Sequence, residues 1–252
     1  MLVASNIEFA RSRVMVEDYA LDIRSSFIAG APTLLLIHGI GVSGWYFMPF
    51  AYELARTYSV IVLDLPGYGK TPKPKEVLSV KELADIVAAY IRNAKLKNPI
   101  LVGHSMGCQI AAQVASRYPT LVSKLILLGP TVNKWERSLL MQGVRLLQDT
   151  LREPLAVNYI VLHDYLHMGV PRYLKTSRYM IEDHLEDSLR DCHVPTLIIR
   201  GERDKIVPRE WTEYLCELME DCAIKEIKDS PHVIQYSEAK HLKRLCHSFI
   251  KQ

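Results

Sequence analysis

Gly103-His104-Ser105-Met106-Gly107 is the stretch that decides the fold. It sets a serine between two glycines where an apolar run gives way to a helical pattern. Pro99-Ile100-Leu101-Val102 reads as a short buried strand, and Ile110, Ala111, Val114, Ala115 and Tyr118 recur at helical spacing. A serine at that bend must take a strained backbone, and the glycines at 103 and 107 let strand and helix close around it. This is the arrangement of a nucleophile elbow, which turns the Ser105 hydroxyl toward a cleft.

Upstream, Thr33-Leu34-Leu35-Leu36-Ile37 reads as a strand and His38-Gly39-Ile40-Gly41 as a flexible turn after it. Backbone N–H groups of that turn, Ile40 foremost, can point into the same cleft. A second donor is the N–H of Met106, at the start of a helix, where backbone donors lack partners and the helix dipole favours negative charge. Together they are expected to form an oxyanion hole.

Four stretches give the chain a resemblance to the α/β-hydrolase fold superfamily over nearly its whole length. They are His38-Gly39-Ile40-Gly41; Asp64-Leu65-Pro66-Gly67-Tyr68-Gly69-Lys70, after the strand Val60-Ile61-Val62-Leu63; the elbow itself; and Gly201-Glu202-Arg203-Asp204 with Ser230-Pro231-His232 downstream. The resemblance implies a mostly parallel, doubly wound sheet with helices on both faces and a helical cap, and the chain order Ser, acid, His is the one that fold uses.

Elementary chemistry selects the same acid and base. A serine hydroxyl needs a neighbouring base, and the base needs a carboxylate to fix its tautomer and stabilise its charged form. Asp204 follows the strand Pro195-Thr196-Leu197-Ile198-Ile199-Arg200, so its carboxylate emerges at the same sheet edge as Ser105, where open α/β sheets place their sites. Asp229 is the competing acid, but its neighbours Ser230 and Pro231 mark it as a turn residue. His232 follows the strand Ala223-Ile224-Lys225-Glu226-Ile227 and precedes the terminal helix, in a loop on the catalytic edge. His241 and His247 fall off the apolar stripe of that helix and are expected in solvent. His104 is expected on the far side of the elbow, and His38 as a structural hydrogen-bonding residue beneath the oxyanion turn.

The chain has 252 residues, about half of them apolar, enough to bury the core of a single domain. Its 31 basic and 28 acidic residues give a net charge of +3 without a basic run, which speaks against nucleic acid as a partner. No apolar stretch approaches the roughly 20 residues of a membrane helix, and Met1-Leu2-Val3-Ala4-Ser5-Asn6 lacks the basic flank and long apolar core of a signal peptide, so a cytoplasmic protein is expected. Cys108, Cys192, Cys216, Cys222 and Cys246 are odd in number and lack metal-ligand spacing. Neither disulfides nor a metal site is expected, and Cys108 reads as a small buried residue. No phosphate-binding glycine loop is present, so no nucleotide cofactor is inferred.

The remaining pattern alternates strands and helices, as in a parallel sheet covered on both faces. Arg13–Val16 and 22–28 read as an antiparallel lead-in and 45–58 as a helix. Ser79-Val80-Lys81-Glu82 reads as a capping box opening a helix with Val80, Leu83, Ile86, Val87, Tyr90 and Ile91 on one face. Ser123–Leu128 is the next strand. The core is thus assigned to 1–129 and 192–252. Residues 130–191 hold two or three helical patterns, the first with Leu139, Leu140, Val144, Leu147 and Leu151. An insertion on the catalytic edge lands above the nucleophile, and the resemblance makes it a cap. Within and beside it, Trp45, Tyr46, Tyr159 and Leu166 are expected to face substrate.

These readings converge on a serine hydrolase that cleaves a small to medium carboxylic ester through Ser105, His232 and Asp204. The resemblance admits two others: hydrolysis of a carbon–carbon bond in a vinylogous diketone, and a ligand-sensing receptor with slow turnover. An aspartate-nucleophile dehalogenase or epoxide hydrolase is disfavoured because the elbow residue is Ser105.

Overall fold

A computed structural model describes residues 7–150 and 155–252. The expectations for Met1 to Asn6, for Leu151 and for the Leu147 side chain fall outside what is described. Strands β1 (Ala10–Val16) and β2 (Tyr19–Ser26) form an antiparallel hairpin, and β2 pairs antiparallel with β4 (Ser59–Asp64). From there β3 (Thr33–Ile37), β5 (Ile100–His104), β6 (Lys124–Leu128), β7 (Thr196–Gly201) and β8 (Cys222–Ile227) run parallel to β4, giving the sheet order β1-β2-β4-β3-β5-β6-β7-β8. The strand order reverses between β3 and β5, the place where a crevice opens beyond the strand ends.

Side-chain alternation explains the two covered faces. Leu35, Ile37, Leu101, Leu125 and Leu127 point to one core and Leu34, Leu36, Ile100, Val102, Ile126 and Leu128 to the other, all buried. The second core is closed by α1 (Met48–Leu54), and the first by α2 (Val80–Asn93) and α3 (Met106–Arg117). The helix expected over 45–58 is divided: a 3-10 turn spans Gly44–Phe47, and α1 starts with Pro49 in its first turn, where a missing N–H costs nothing. The capping box forms as read, with the Ser79 N–H donating to Glu82 Oε2 at 2.7 Å and the Glu82 N–H to Ser79 Oγ at 3.3 Å.

Among the described residues, four α-helices lie between β6 and β7, one or two more than the periodicity suggests: α4 (Leu139–Thr150), α5 (Leu155–Met168), α6 (Val170–Glu182) and α7 (Leu185–Arg190). Then come α8 (Arg209–Glu217), the single turn α9 (Ile234–Ser237) and α10 (Ala239–Ile250), whose Leu242, Cys246 and Phe249 are buried in the second core. No helix among the described residues is long and apolar enough to cross a membrane.

Two expectations are corrected. Cys216 and Cys222 are joined in a disulfide, whereas Cys108, Cys192 and Cys246 are free and buried. The spacing carried no disulfide signal because the pair is created by the turn from α8 into β8, which brings the two ends together. The expectation of a wholly reduced chain falls with it. His247 is half-buried rather than solvated, its Nδ1 2.6 Å from the Tyr58 hydroxyl across from α10.

Candidate active site

Ser105 has φ 55° and ψ −121°, a conformation that L-residues avoid, and caps α3 without spending its hydroxyl on the helix. Its own N–H is anchored to the Leu128 carbonyl at 3.0 Å, which ties the elbow to β6. The tight turn demands glycine at 107: a Cβ there would stand 2.1 Å from the Ile37 carbonyl oxygen.

Asp204, 3% exposed, stands in the loop after β7 as expected. Its Oδ1 accepts the N–H groups of Ile206 (2.8 Å) and Val207 (3.0 Å), and its Oδ2 faces His232 Nδ1 at 2.7 Å. A carboxylate oxygen can only accept there, so Nδ1 carries the proton and Nε2 is the ring atom available to accept one. The imidazole seats over Gly129, at the end of β6, where a Cβ would come within 2.8 Å of His232 Cε1. Asp229 is excluded as the partner: it is exposed, at φ 59°, and ion-paired with Arg203.

The turn after β3 lies against the serine, since a Cβ on Gly39 would be 3.1 Å from Ser105 Cβ. His38 underpins this turn as read. Burial pushes its pKa down, keeping the ring neutral, and Nδ1 donates to the Gly39 carbonyl (2.8 Å) while Nε2 accepts the Leu65 N–H (3.0 Å). Asp64, fully buried, gathers the Gly44 N–H (2.8 Å), the Lys70 N–H (3.1 Å) and the Arg24 guanidinium (3.1 Å). The Asp64–Lys70 stretch therefore acts as a knot that holds neighbouring loops.

His104 is not on the far side of the elbow. Its ring centroid lies 4.6 Å from that of His232, and its Nε2 faces the His232 carbonyl at 3.1 Å. Tyr46 does not face the cavity at Ser105. It is 2% exposed and its oxygen accepts the Gly39 N–H at 2.9 Å.

A cavity of about 200 Å³ adjoins Ser105 and is walled by Ile40, Thr131, Val132, Ile206 and residues of α4 and α6, among them Leu174, Met180 and Ile181. None of its described lining residues is charged. Trp45 and Tyr159 instead line a second cavity of about 420 Å³ with Arg24, Lys70 and His163. Leu166 is 75% exposed and lines neither. The face presented by α5 depends on how it docks against its neighbours, and all-round apolar periodicity gave no means to choose it.

Sequence reasoning also missed Arg200. Buried at the end of β7, it donates to the carbonyls of Val207 (2.9 Å), Glu202 (3.2 Å) and Asp204 (3.3 Å) and pairs with Glu226, cinching the loop that presents Asp204. An arginine inside an otherwise apolar strand was the available signal.

A family model described as the alpha/beta hydrolase fold matches residues 32–160, about half of the chain. An uncharacterised hydrolase of Bacillus subtilis, YugF, is 25% identical over 254 aligned residues, covering 88% of this chain and 91% of its own. A 2-(acetamidomethylene)succinate hydrolase of Mesorhizobium japonicum is 24% identical, covering 90% of each chain. The crystal structure of a bacterial membrane phospholipase A matches the fold with a TM-score of 0.83 at 23% identity, over 96% of this chain and 86% of that one.

Proposed function

The chain belongs to the α/β-hydrolase fold family, and we propose that within it this protein is a serine hydrolase of uncharged, largely apolar carboxylic esters. The observation that carries the reading is the 2.7 Å contact of Asp204 Oδ2 with His232 Nδ1, on strand ends adjoining a strained Ser105 that opens on an uncharged cavity. Ser105 Oγ attacks the ester carbonyl as His232 Nε2 takes its proton. His232 then returns that proton to the leaving alcohol, and water repeats the sequence on the acyl-enzyme. The N–H groups of Ile40 and Met106 receive the developing oxyanion, each such donor being worth roughly 3 kcal/mol of barrier. Asp204 holds the tautomer and stabilises the imidazolium. The four helices between β6 and β7 serve as a cap that shapes the pocket.

The competing carbon–carbon hydrolysis has a dienoate carboxylate to accommodate, and burying that charge without a cation is costly. The described lining of the cavity offers no cation, which favours the ester. For the same reason the succinate substrate in the name of the Mesorhizobium relative is not carried over to this chain. The test is turnover of p-nitrophenyl esters of increasing chain length beside a ring-cleavage dienoate. Fast ester turnover that disappears in Ser105→Ala is expected. A preference for the dienoate would move the chemistry to the carbon–carbon bond, and tight binding with negligible turnover would make the protein a receptor.

A further inference from the structure

The turn that presents Ile40 is held from two sides. At its ends the core supplies the anchors: the Gly39 N–H donates to the Tyr46 oxygen and the Gly44 N–H to Asp64 Oδ1. Between them the partners come from α5. The buried Ser43 donates both its N–H, at 2.8 Å, and its hydroxyl, at 2.7 Å, to Asp164 Oδ2, while Asp164 Oδ1 faces His163 Nδ1 at 3.1 Å. One residue on, the Tyr165 ring abuts Gly41, which sits at φ 73°: a Cβ there would stand 2.2 Å from Tyr165 Cε1. Asp164 is the only carboxylate in the sequence of α5 and its side chain is mostly buried, a costly place for a charge unless its hydrogen bonds are used. Neither Asp164 nor Tyr165 is among the described residues lining the cavity at Ser105, so their influence on a substrate there runs through the turn.

We propose that Asp164 is a positioning residue: by holding Ser43 it fixes the 40–43 turn, so that the Ile40 N–H stands where the oxyanion develops. It follows that α5, docked on the core, completes the oxyanion hole, and that the helices between β6 and β7 govern the rate of the chemistry as well as the choice of substrate. This rests on the ester reading given above. A donor stabilises developing charge only if it is already in place, so a loosened turn costs catalysis while leaving ground-state binding in the cavity intact.

The experiment compares wild type with Asp164→Ala, Asp164→Asn and Ser43→Ala. Turnover of p-nitrophenyl acetate and p-nitrophenyl hexanoate is measured beside inhibition by an alkylboronic acid, whose tetrahedral adduct with Ser105 Oγ places an oxygen where the oxyanion forms. In Asp164→Ala, kcat should fall about tenfold or more on both esters alike with KM within about twofold, and boronate affinity should fall by about the same factor as kcat/KM. Asp164→Asn keeps an oxygen that can accept both Ser43 donors and should restore kcat to within about threefold of wild type. Ser43→Ala loses only the hydroxyl bond and should lower kcat about threefold, adding little in the Asp164→Ala background; this milder variant decides the matter should Asp164→Ala not fold. Unchanged kcat in a folded variant, a loss confined to the hexanoate or to KM, or boronate affinity equal to that of wild type would each overturn the proposal and leave Asp164 as a tether of the helix alone. Failure of wild type to hydrolyse either ester is a different result: it overturns the ester reading, and this inference with it.

Discussion

The Tyr46 hydroxyl lies 2.7 Å from Nδ1 of His104, and this contact joins the turn after β3 to the loop that carries His232. Its direction is fixed. The His232 carbonyl can only accept, so His104 Nε2 carries the proton. Burial lowers the His104 pKa well below its usual range, so the ring is neutral and Nδ1 must receive the Tyr46 O–H. The Tyr46 oxygen then takes the Gly39 N–H. A single buried chain with one polarity thus runs from the proposed oxyanion turn to the backbone of the proposed base.

Tyr46→Phe removes that hydroxyl, keeps the ring, and leaves the Gly39 N–H and His104 Nδ1 buried without a partner. A cost of about 1–3 kcal/mol in stability is expected. Ester kcat should fall about tenfold or more with KM little changed, because the turn that presents Ile40 loses its anchor. Equal kcat in a Tyr46→Phe enzyme shown to be folded would make the chain purely structural.

Ser105→Ala and His232→Ala should each lower kcat by a factor on the order of 10⁴ or more, with the double variant barely worse, because the two residues act as a unit. A sulfonyl fluoride should label wild type at Ser105 and nowhere else. Losses that add, or label on another residue, would argue against the mechanism.

Asp204→Asn should be far more damaging than Asp229→Asn. The first disrupts a buried carboxylate that orders two backbone N–H groups and the imidazole, and the second removes an exposed ion pair with Arg203, worth about 0–1 kcal/mol. Steady-state kinetics on both variants decides it, and the reverse ranking would shift the acid to Asp229.

Asp183 at the end of α6 gives a pH prediction. Burial pushes its carboxyl up to about 6, against the opposing pull of the amides of Gln113 (2.9 Å) and Gln109 (3.1 Å) and the charges of Lys81 and His184. A carboxyl whose pKa is raised by folding stabilises the fold below its unfolded value, and that contribution is lost as pH rises through about 6. Between about pH 4 and 7, wild type should lose on the order of 2 kcal/mol relative to Asp183→Asn. Urea denaturation of both proteins across that window measures the difference. A flat or rising difference would refute the assignment.

Met180→Ala and Leu174→Ala, on α6 and lining the cavity at Ser105, should extend the preferred ester chain by roughly 1–3 kcal/mol per site in relative kcat/KM. Tyr159→Ala and Leu166→Ala, whose side chains lie outside that cavity, should leave chain-length preference unchanged. Equal effects from the two pairs would mean that the pocket walls are different from those described.

Local sequence determined the strands, the elbow and the loops that carry Asp204 and His232. Alternating and continuous apolar runs can bury themselves in only a few ways, and Gly103 and Gly107 flank Ser105 because nothing larger fits. Choosing Asp204 over Asp229 was also possible in advance, since Asp204 follows an apolar strand whereas Ser230 and Pro231 beside Asp229 mark it as a turn residue. The tertiary structure decided what depends on packing between distant segments: the Cys216–Cys222 bond, the Tyr58–His247 contact, the burial of Tyr46 and the chain it makes through His104. It also decided that α4 and α6, rather than Trp45 or, among the described residues, α5, wall the cavity at Ser105. The physical reason is the range of the interactions. Strand patterning and elbow strain act over a few residues and are written in the local sequence, whereas a helix face or a buried hydroxyl is assigned its partner only when the sheet brings remote segments together.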